Sequence, residues 1–175
     1  MTTGHLHQPA SEPIPFTERI SVHEATASDL HTVNGIITES IVSWGLPDRV
    51  RRLATPSLTY NESDLKHMSV IFLINADGSG IAMAAWEEAS GLDVPENTKE
   101  FLIHGLYVVP ACQQRGLGTR LIELVANRIS HRKSGGMTVR AWRDSVAFFL
   151  SRGFAPIKPD SSTDTYPQRL WRSLR

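Results

Sequence analysis

Apolar residues along this chain follow two rhythms, one close to period two and one close to period 3.6, and the switches between them mark the elements. Ser69 to Asn75 (SVIFLIN) and Gly80 to Glu88 (GIAMAAWEE) read as strands, with Asp77-Gly78 between them as a hairpin signal. Phe101, Leu102, Ile103, Leu106, Tyr107, Val108 and Val109 form a longer β-prone run that Pro110 stops. Gly136 to Trp142 (GMTVRAW) and Tyr166 to Leu174 (YPQRLWRSL) supply two more strands, and a short one is expected from Glu18 to Glu24. Helical spacing appears in Leu30, Val33, Ile36, Ile37, Ile41 and Trp44, opened by Thr26-x-x-Asp29 and ended by Gly45-Leu46-Pro47. It returns in Leu121, Ile122, Leu124, Val125 and Ile129, with Arg120, Glu123, Asn127 and His131 on the other side and Gly135-Gly136 as the stop. Asp48 to Met68 predicts one or two short helices broken near Pro56, and Ser145 to Arg152 another.

The order is strand, helices, hairpin, strand, helix, strand, helix, strand. That is a mixed α/β chain, α+β in its sheet, with no repeat and no internal domain boundary. Residues 1–17 are polar, carry Pro9, Pro13 and Pro15, and show no period, so they are expected to form a flexible arm. Residues 18–175 are expected to form one domain. Ser90 to Lys99 and Ser161 to Asp164 read as polar loops.

Composition narrows the function classes. The chain has 175 residues, enough for one domain with a full core. Lys+Arg and Asp+Glu are both 18, and that balance argues against general nucleic-acid affinity, which needs a basic surface. Arg49, Arg51 and Arg52 cluster, but a solvated helix face accounts for them. The single cysteine, Cys112, excludes an intramolecular disulfide and permits a reducing compartment. The apolar runs are too short to span a bilayer, and no signal-peptide pattern opens the chain, so a cytoplasmic protein with no membrane partner is expected. His5 and His7 are a loose pair, and no histidine–carboxylate spacing marks a metal site.

The chemistry concentrates where the longest strand meets the longest helix. Gln113-Gln114-Arg115-Gly116-Leu117-Gly118-Thr119 turns from one into the other. Two glycines let the backbone bend and approach a ligand closely. The first amides of a helix lack internal acceptors and carry the positive dipole end, so the junction suits a phosphate. A P-loop needs a Lys after its last glycine, and none is present. A dinucleotide fingerprint needs a third small residue where Leu121 stands. The pattern that fits is Q/R-x-x-G-x-G/A, from Gln113 through Gly116 to Gly118.

Preceded by Leu106-Tyr107-Val108-Val109-Pro110, this motif resembles the acyl-coenzyme A site of the GNAT superfamily of N-acetyltransferases. The element order is similar to that fold from about Ile20 to Leu174. The resemblance implies a central, mostly antiparallel twisted sheet with flanking helices. In it the strand ending at Val109 and the strand Thr138–Trp142 are parallel and splay apart. It implies acetyl-coenzyme A as acyl donor, with its pantetheine amides paired to the backbone of Leu106, Tyr107 and Val108. The Val108 amide is then a candidate oxyanion donor. The pyrophosphate would rest on amides from Gln113 or Gln114 through Arg115, Gly116, Leu117, Gly118 and Thr119, with the Arg115 charge nearby.

Acyl transfer to an amine needs a base, an oxyanion site and help for the leaving thiolate. His104 interrupts an apolar strand, and simple alternation puts it on one face with Leu102, Leu106 and Val108. An imidazole, with a model-peptide pKa of about 6.5, suits base work near neutrality. In the aralkylamine branch of the superfamily a strand histidine at the matching position is implicated in proton removal. Other branches place a glutamate where Leu102 stands. Glu87 and Glu88, on the neighbouring strand, are the substitutes, as base or as holders of the substrate's ammonium.

Two departures matter in the family segment N-x-x-A-x-x-F-Y-x-x-x-G-F, matched here from Trp142 to Phe154. Trp142 replaces the asparagine, and Phe149 replaces the tyrosine that often acts as general acid. Water, Tyr107, Tyr166 or an unassisted thiolate would then serve. Cys112 sits at the wrong end of the donor for an acyl-cysteine route. The resulting expectation is an acetyl-coenzyme A-dependent N-acetyltransferase with a small-molecule amine acceptor, working by direct attack in a ternary complex. Trp44, Tyr60, Trp86 and Tyr166 are candidate pocket walls, and a homodimer is compatible with the sequence. Two rivals stay open: an enzyme for protein N-termini or lysines, and an acyl-coenzyme A sensor without turnover.

Overall fold

A computed structural model describes residues 19–89, 100–131, 134–157 and 168–174. The expected arm, His5 and His7, the loop 90–99 and Tyr166 lie outside them. The elements in order are β1 (Ser21–Glu24), α1 (Leu30–Val42), α2 (Asp48–Leu58), β2 (Ser69–Ile74), β3 (Gly80–Glu88), β4 (Glu100–Val108), α3 (Leu117–Ser130), β5 (Gly136–Ala141), α4 (Arg143–Leu150), β6 (Ala155–Pro156) and β7 (Gln168–Ser173). The strands form one sheet in the order β1-β2-β3-β4-β5-β7-β6. Every pairing is antiparallel except β4 with β5. That pair needs a crossover, and α3 supplies it.

β3 is buried along almost its whole length, so both faces of the sheet are covered there. A Cβ on Gly80 would meet Thr32 and Ile36 at 2.7 and 3.0 Å, which places α1 on one face. α3 also packs on β3 and β4 and therefore covers the other. Val33, Ile36, Ile37 and Ile41 of α1, and Leu121, Ile122, Val125 and Ile129 of α3, are all at most 2% exposed. Each such side chain contributes roughly 1.5–3 kcal/mol of transfer free energy, which seats both helices firmly.

Three expectations meet a different outcome. α2 runs through Pro56 to Leu58 instead of breaking there, because the proline falls in the last turn, where few helical bonds remain. Gly136 opens β5 and does not close the preceding helix. A Cβ there would lie 2.5 Å from the Arg172 carbonyl and 2.8 Å from Glu100 Oε2, so only glycine fits between these groups. β6 is two residues long, too short to leave a periodic signal.

A fourth difference matters most for function. Ala85 pairs with Gly105 and Trp86 with Ile103, so His104 is an extra residue in β4, a β-bulge. The extra residue breaks simple alternation. Leu102 pairs with Glu87 and stays on that face, whereas Leu106 pairs with Ala84 and Val108 with Ala82, on the opposite face. His104 therefore does not share a face with Leu106 and Val108.

Candidate active site

The parallel pairing of β4 with β5 runs only from Glu100↔Gly136 to Ile103↔Val139. Beyond it β4 continues through Val108 without a partner on that side, and the strands part. A cleft of about 1320 Å³ fills the gap. Its walls are β4 from Ile103 to Val108, the turn and first residues of α3, the end of β5, and the start of α4.

The backbone of β4 meets this cleft selectively. Val109 N donates to Ile81 O at 3.0 Å, and antiparallel pairs alternate between bonded and non-bonded. The Val108 and Leu106 backbone groups therefore point away from β3, toward the cleft, while those of Tyr107 engage Met83. Gln113 Nε2 donating to Val108 O at 3.0 Å agrees with this. Of the three residues expected to meet the donor, Leu106 and Val108 turn main-chain groups to the cleft, while Tyr107 turns its main chain to β3 and also lines the cleft.

At one end of the cleft the chain turns into α3. Gln114 and Gly116 both take positive φ, 58° and 80°, and Gly116 is the N-cap. The first bond entering the helix is Arg120 N to Gly116 O at 3.0 Å. The amides of Leu117, Gly118 and Thr119 precede it and have no intrahelical acceptor, while their residues line the cleft. Nothing lies within 4 Å of where a Gly116 Cβ would stand, so the approach is open. Gly118 packs under α4; a Cβ there would be 3.0 Å from Phe148 Cζ. Gln113 and Gln114 line the cleft, whereas exposed Arg115 belongs to the turn without lining it. The donor set, consecutive amides at a helix start, suits a diphosphate.

His104 lines the cleft and is paired with Glu87, which stands behind it on β3 and does not line the cleft. His104 Nε2 and Glu87 Oε1 are 2.6 Å apart, each side chain about 33% exposed. The bulge brings them together by turning His104 onto the Glu87 face. Glu88, the other candidate, follows Glu87 and so points to the opposite face. Tyr107 lines the cleft and is 7% exposed. Burial pushes its phenol up to about 12, so it keeps its proton across the neutral range. Burial also raises the Tyr60 phenol above its usual value, with Tyr107 adding to the effect.

The expected walls divide. Trp44 lines the cleft, stacked on Tyr107 at 6.1 Å and 13°. Trp86 is core, 4% exposed. Tyr60 lines a separate groove along α1. Phe149 is 4% exposed and sits edge-on to Phe148 and Phe154, where it completes apolar packing and has no proton to give. Sequence reasoning treated Trp142 only as a departure, yet its ring is 51% exposed in the cleft and 5.9 Å from Trp44. It also missed Leu46 and Leu58, which line the same wall from the α1–α2 side. Among the described residues no group of three or more His, Cys, Asp or Glu could hold a metal, and no helix is long and apolar enough to cross a membrane.

Comparison with known proteins gives the same architecture. The family profile described as "Acetyltransferase (GNAT) domain" matches residues 72–166, more than half of the chain. No curated protein matches it. Solved structures do match. PaiA N-acetyltransferase from Thermoplasma acidophilum, in complex with coenzyme A, aligns with 89% of this chain and 99% of its own, at TM-score 0.68 and 14% identity. A GNAT family acetyltransferase from Brucella melitensis, in complex with acetyl-coenzyme A, covers 89% and 88%, at 0.62 and 12%. AAC(6')-Iy, an aminoglycoside N-acetyltransferase in complex with a bisubstrate analogue, covers 84% and 98%, at 0.60 and 16%.

Proposed function

The chain belongs to the GNAT acetyltransferase family, and from that premise we propose that it moves an acetyl group from acetyl-coenzyme A to the primary amine of a small-molecule acceptor, by direct attack in a ternary complex. One observation carries the reading. The main-chain groups of Leu106 and Val108, left open by the parting of β4 from β5, run into the unbonded amides of Leu117 to Thr119 along one cleft.

The residues take these roles. The amides of Leu117, Gly118 and Thr119 hold the diphosphate, with Gln113, Gln114 and Gly116 shaping the turn and Arg115 adding positive charge from outside the wall. Leu106 and Val108 pair with the pantetheine amides as an added strand would. Gln113 Nε2, bonded to Val108 O, must shift for that carbonyl to serve the donor. When bound, acetyl-coenzyme A supplies an activated thioester. His104 takes the proton from the attacking amine. Glu87, bonded to the imidazole, orients it and stabilises the imidazolium that forms. The Val108 amide faces the cleft and is placed to serve the oxyanion. The Tyr107 hydroxyl keeps its proton and offers a hydrogen bond to the departing thiolate.

Phe149 favours a second reading, a module that binds acyl-coenzyme A without turnover. Calorimetric titration with acetyl-coenzyme A, followed by thiol release on adding small amines or peptides, decides. Saturable binding with amine-dependent thiol release supports the enzyme. Binding alone supports the sensor, and release with peptides only supports the protein-modifying rival. No saturable binding overturns all three.

A further inference from the structure

A side chain from outside the sheet stands where the gap between β4 and β5 closes. Their pairing ends at Ile103↔Val139, and both residues line the cleft, so no path continues between the strands. A donor laid along Val108 and then Leu106 brings its acyl end to Gly105. A Cβ on Gly105 would stand 2.6 Å from the Tyr60 hydroxyl and 2.7 Å from the Tyr107 ring. Gly105 pairs with Ala85 and Tyr107 with Met83, on the strand face that carries Glu87. Tyr60 therefore covers β4 beside His104, on the face where the base stands.

Tyr60 lies beyond the end of α2, yet its main chain is held at both polar groups. Asn34 of α1 donates from Nδ2 to Tyr60 O and accepts from Tyr60 N, each at 2.8 Å. The residue also faces two spaces. It lines a groove of about 700 Å³ along α1 with Leu30 and Val42, where a Cβ on Gly35 would meet nothing within 4 Å. Its hydroxyl meanwhile reaches Gly105, which lines the cleft. The ring is thus a partition between the cleft and the α1 groove. A methylene added beyond an acetyl group has to displace the Tyr60 hydroxyl or its packed neighbours.

We propose that Tyr60 sets the length of the acyl group that the donor carries, and that the α1 groove takes up a longer chain once the ring is cut back. This rests on the acetyltransferase reading. Affinities for coenzyme A, acetyl-coenzyme A and butyryl-coenzyme A would be measured by calorimetry on the unaltered protein, Tyr60→Phe and Tyr60→Leu. Coenzyme A has no acyl group, so it reports the donor site and the folding of each variant. The unaltered protein should favour the acetyl over the butyryl form by about tenfold or more, the scale for extra methylenes at a closed pocket. That ratio should shrink in Tyr60→Phe, which loses only the hydroxyl, and nearly vanish in Tyr60→Leu, with coenzyme A affinity unchanged. Asn34→Ala, which removes the clamp, should shrink it too. Equal affinity for the two acyl forms in the unaltered protein overturns the proposal, and so does the same ratio in Tyr60→Phe and Tyr60→Leu as in the unaltered protein. Weaker coenzyme A binding by folded Tyr60→Leu also overturns it, for the ring would then serve the pantetheine. If Tyr60→Leu does not fold, the unaltered protein and Tyr60→Phe still decide. Failure of the unaltered protein to bind coenzyme A in any form removes the acetyltransferase reading, and this proposal with it.

Discussion

His104 Nε2 lies 2.6 Å from Glu87 Oε1 across two neighbouring strands, and the contact exists because His104 is the extra residue of a β-bulge. A base held by a carboxylate is oriented as well as basic. His104→Ala should lower kcat by about 10²–10⁴-fold, the range for a general base, and flatten the acidic limb of the pH–rate profile. Acetyl-coenzyme A affinity should hardly change. Glu87→Gln should give a smaller loss of kcat. An unchanged pH–rate curve in His104→Ala removes it as the base.

Gly118 has two duties. Its amide belongs to the first turn of α3, and its bare Cα lets Phe148 of α4 approach. Gly118→Val should weaken acetyl-coenzyme A binding by more than tenfold, about 1.4 kcal/mol, and should also lower the melting temperature, because the added methyls meet the Phe148 ring. Calorimetry and thermal melting read the two effects separately. Retained affinity would sink the phosphate assignment.

Gln114 holds φ 58°, where a side chain costs roughly 1–2 kcal/mol. Gln114→Gly should therefore raise stability by about 1 kcal/mol in chemical denaturation, offset in part by the freer unfolded chain. Stability that falls instead would mean the Gln114 side chain holds the turn through contacts worth more than the strain.

Tyr107 sets an alkaline limit. Its folded pKa lies above its unfolded value, 10.0 against about 12. The neutral phenol is thus favoured in the folded state. Its stabilisation is fully present below pH 10 and is lost as pH rises toward 12, by roughly 2–3 kcal/mol at most. Tyr107→Phe keeps the ring on Trp44 and should flatten that part of the stability–pH curve. A curve as steep as that of the unaltered protein would assign the loss to Tyr60, whose pKa is raised in the same direction.

Apart from β6, the element order, the hairpin at Asp77-Gly78, the α1 and α3 faces and the turn at Gln113–Gly118 were legible along the chain, because each rests on local periodicity or on residues that only a turn or helix start favours. Chain order also carried the fold class, through a strand–turn–helix that only a few architectures use. Tertiary structure alone decided the bulge at His104, since strand register depends on the partner strand and one inserted residue reverses every side chain beyond it. The same register assigned the backbone of Tyr107 to β3 and left Leu106 and Val108 to the cleft. It also brought together Trp44 and Trp142, 98 positions apart in the numbering, whose contact no local pattern can record because it is made by three elements meeting at the gap between β4 and β5.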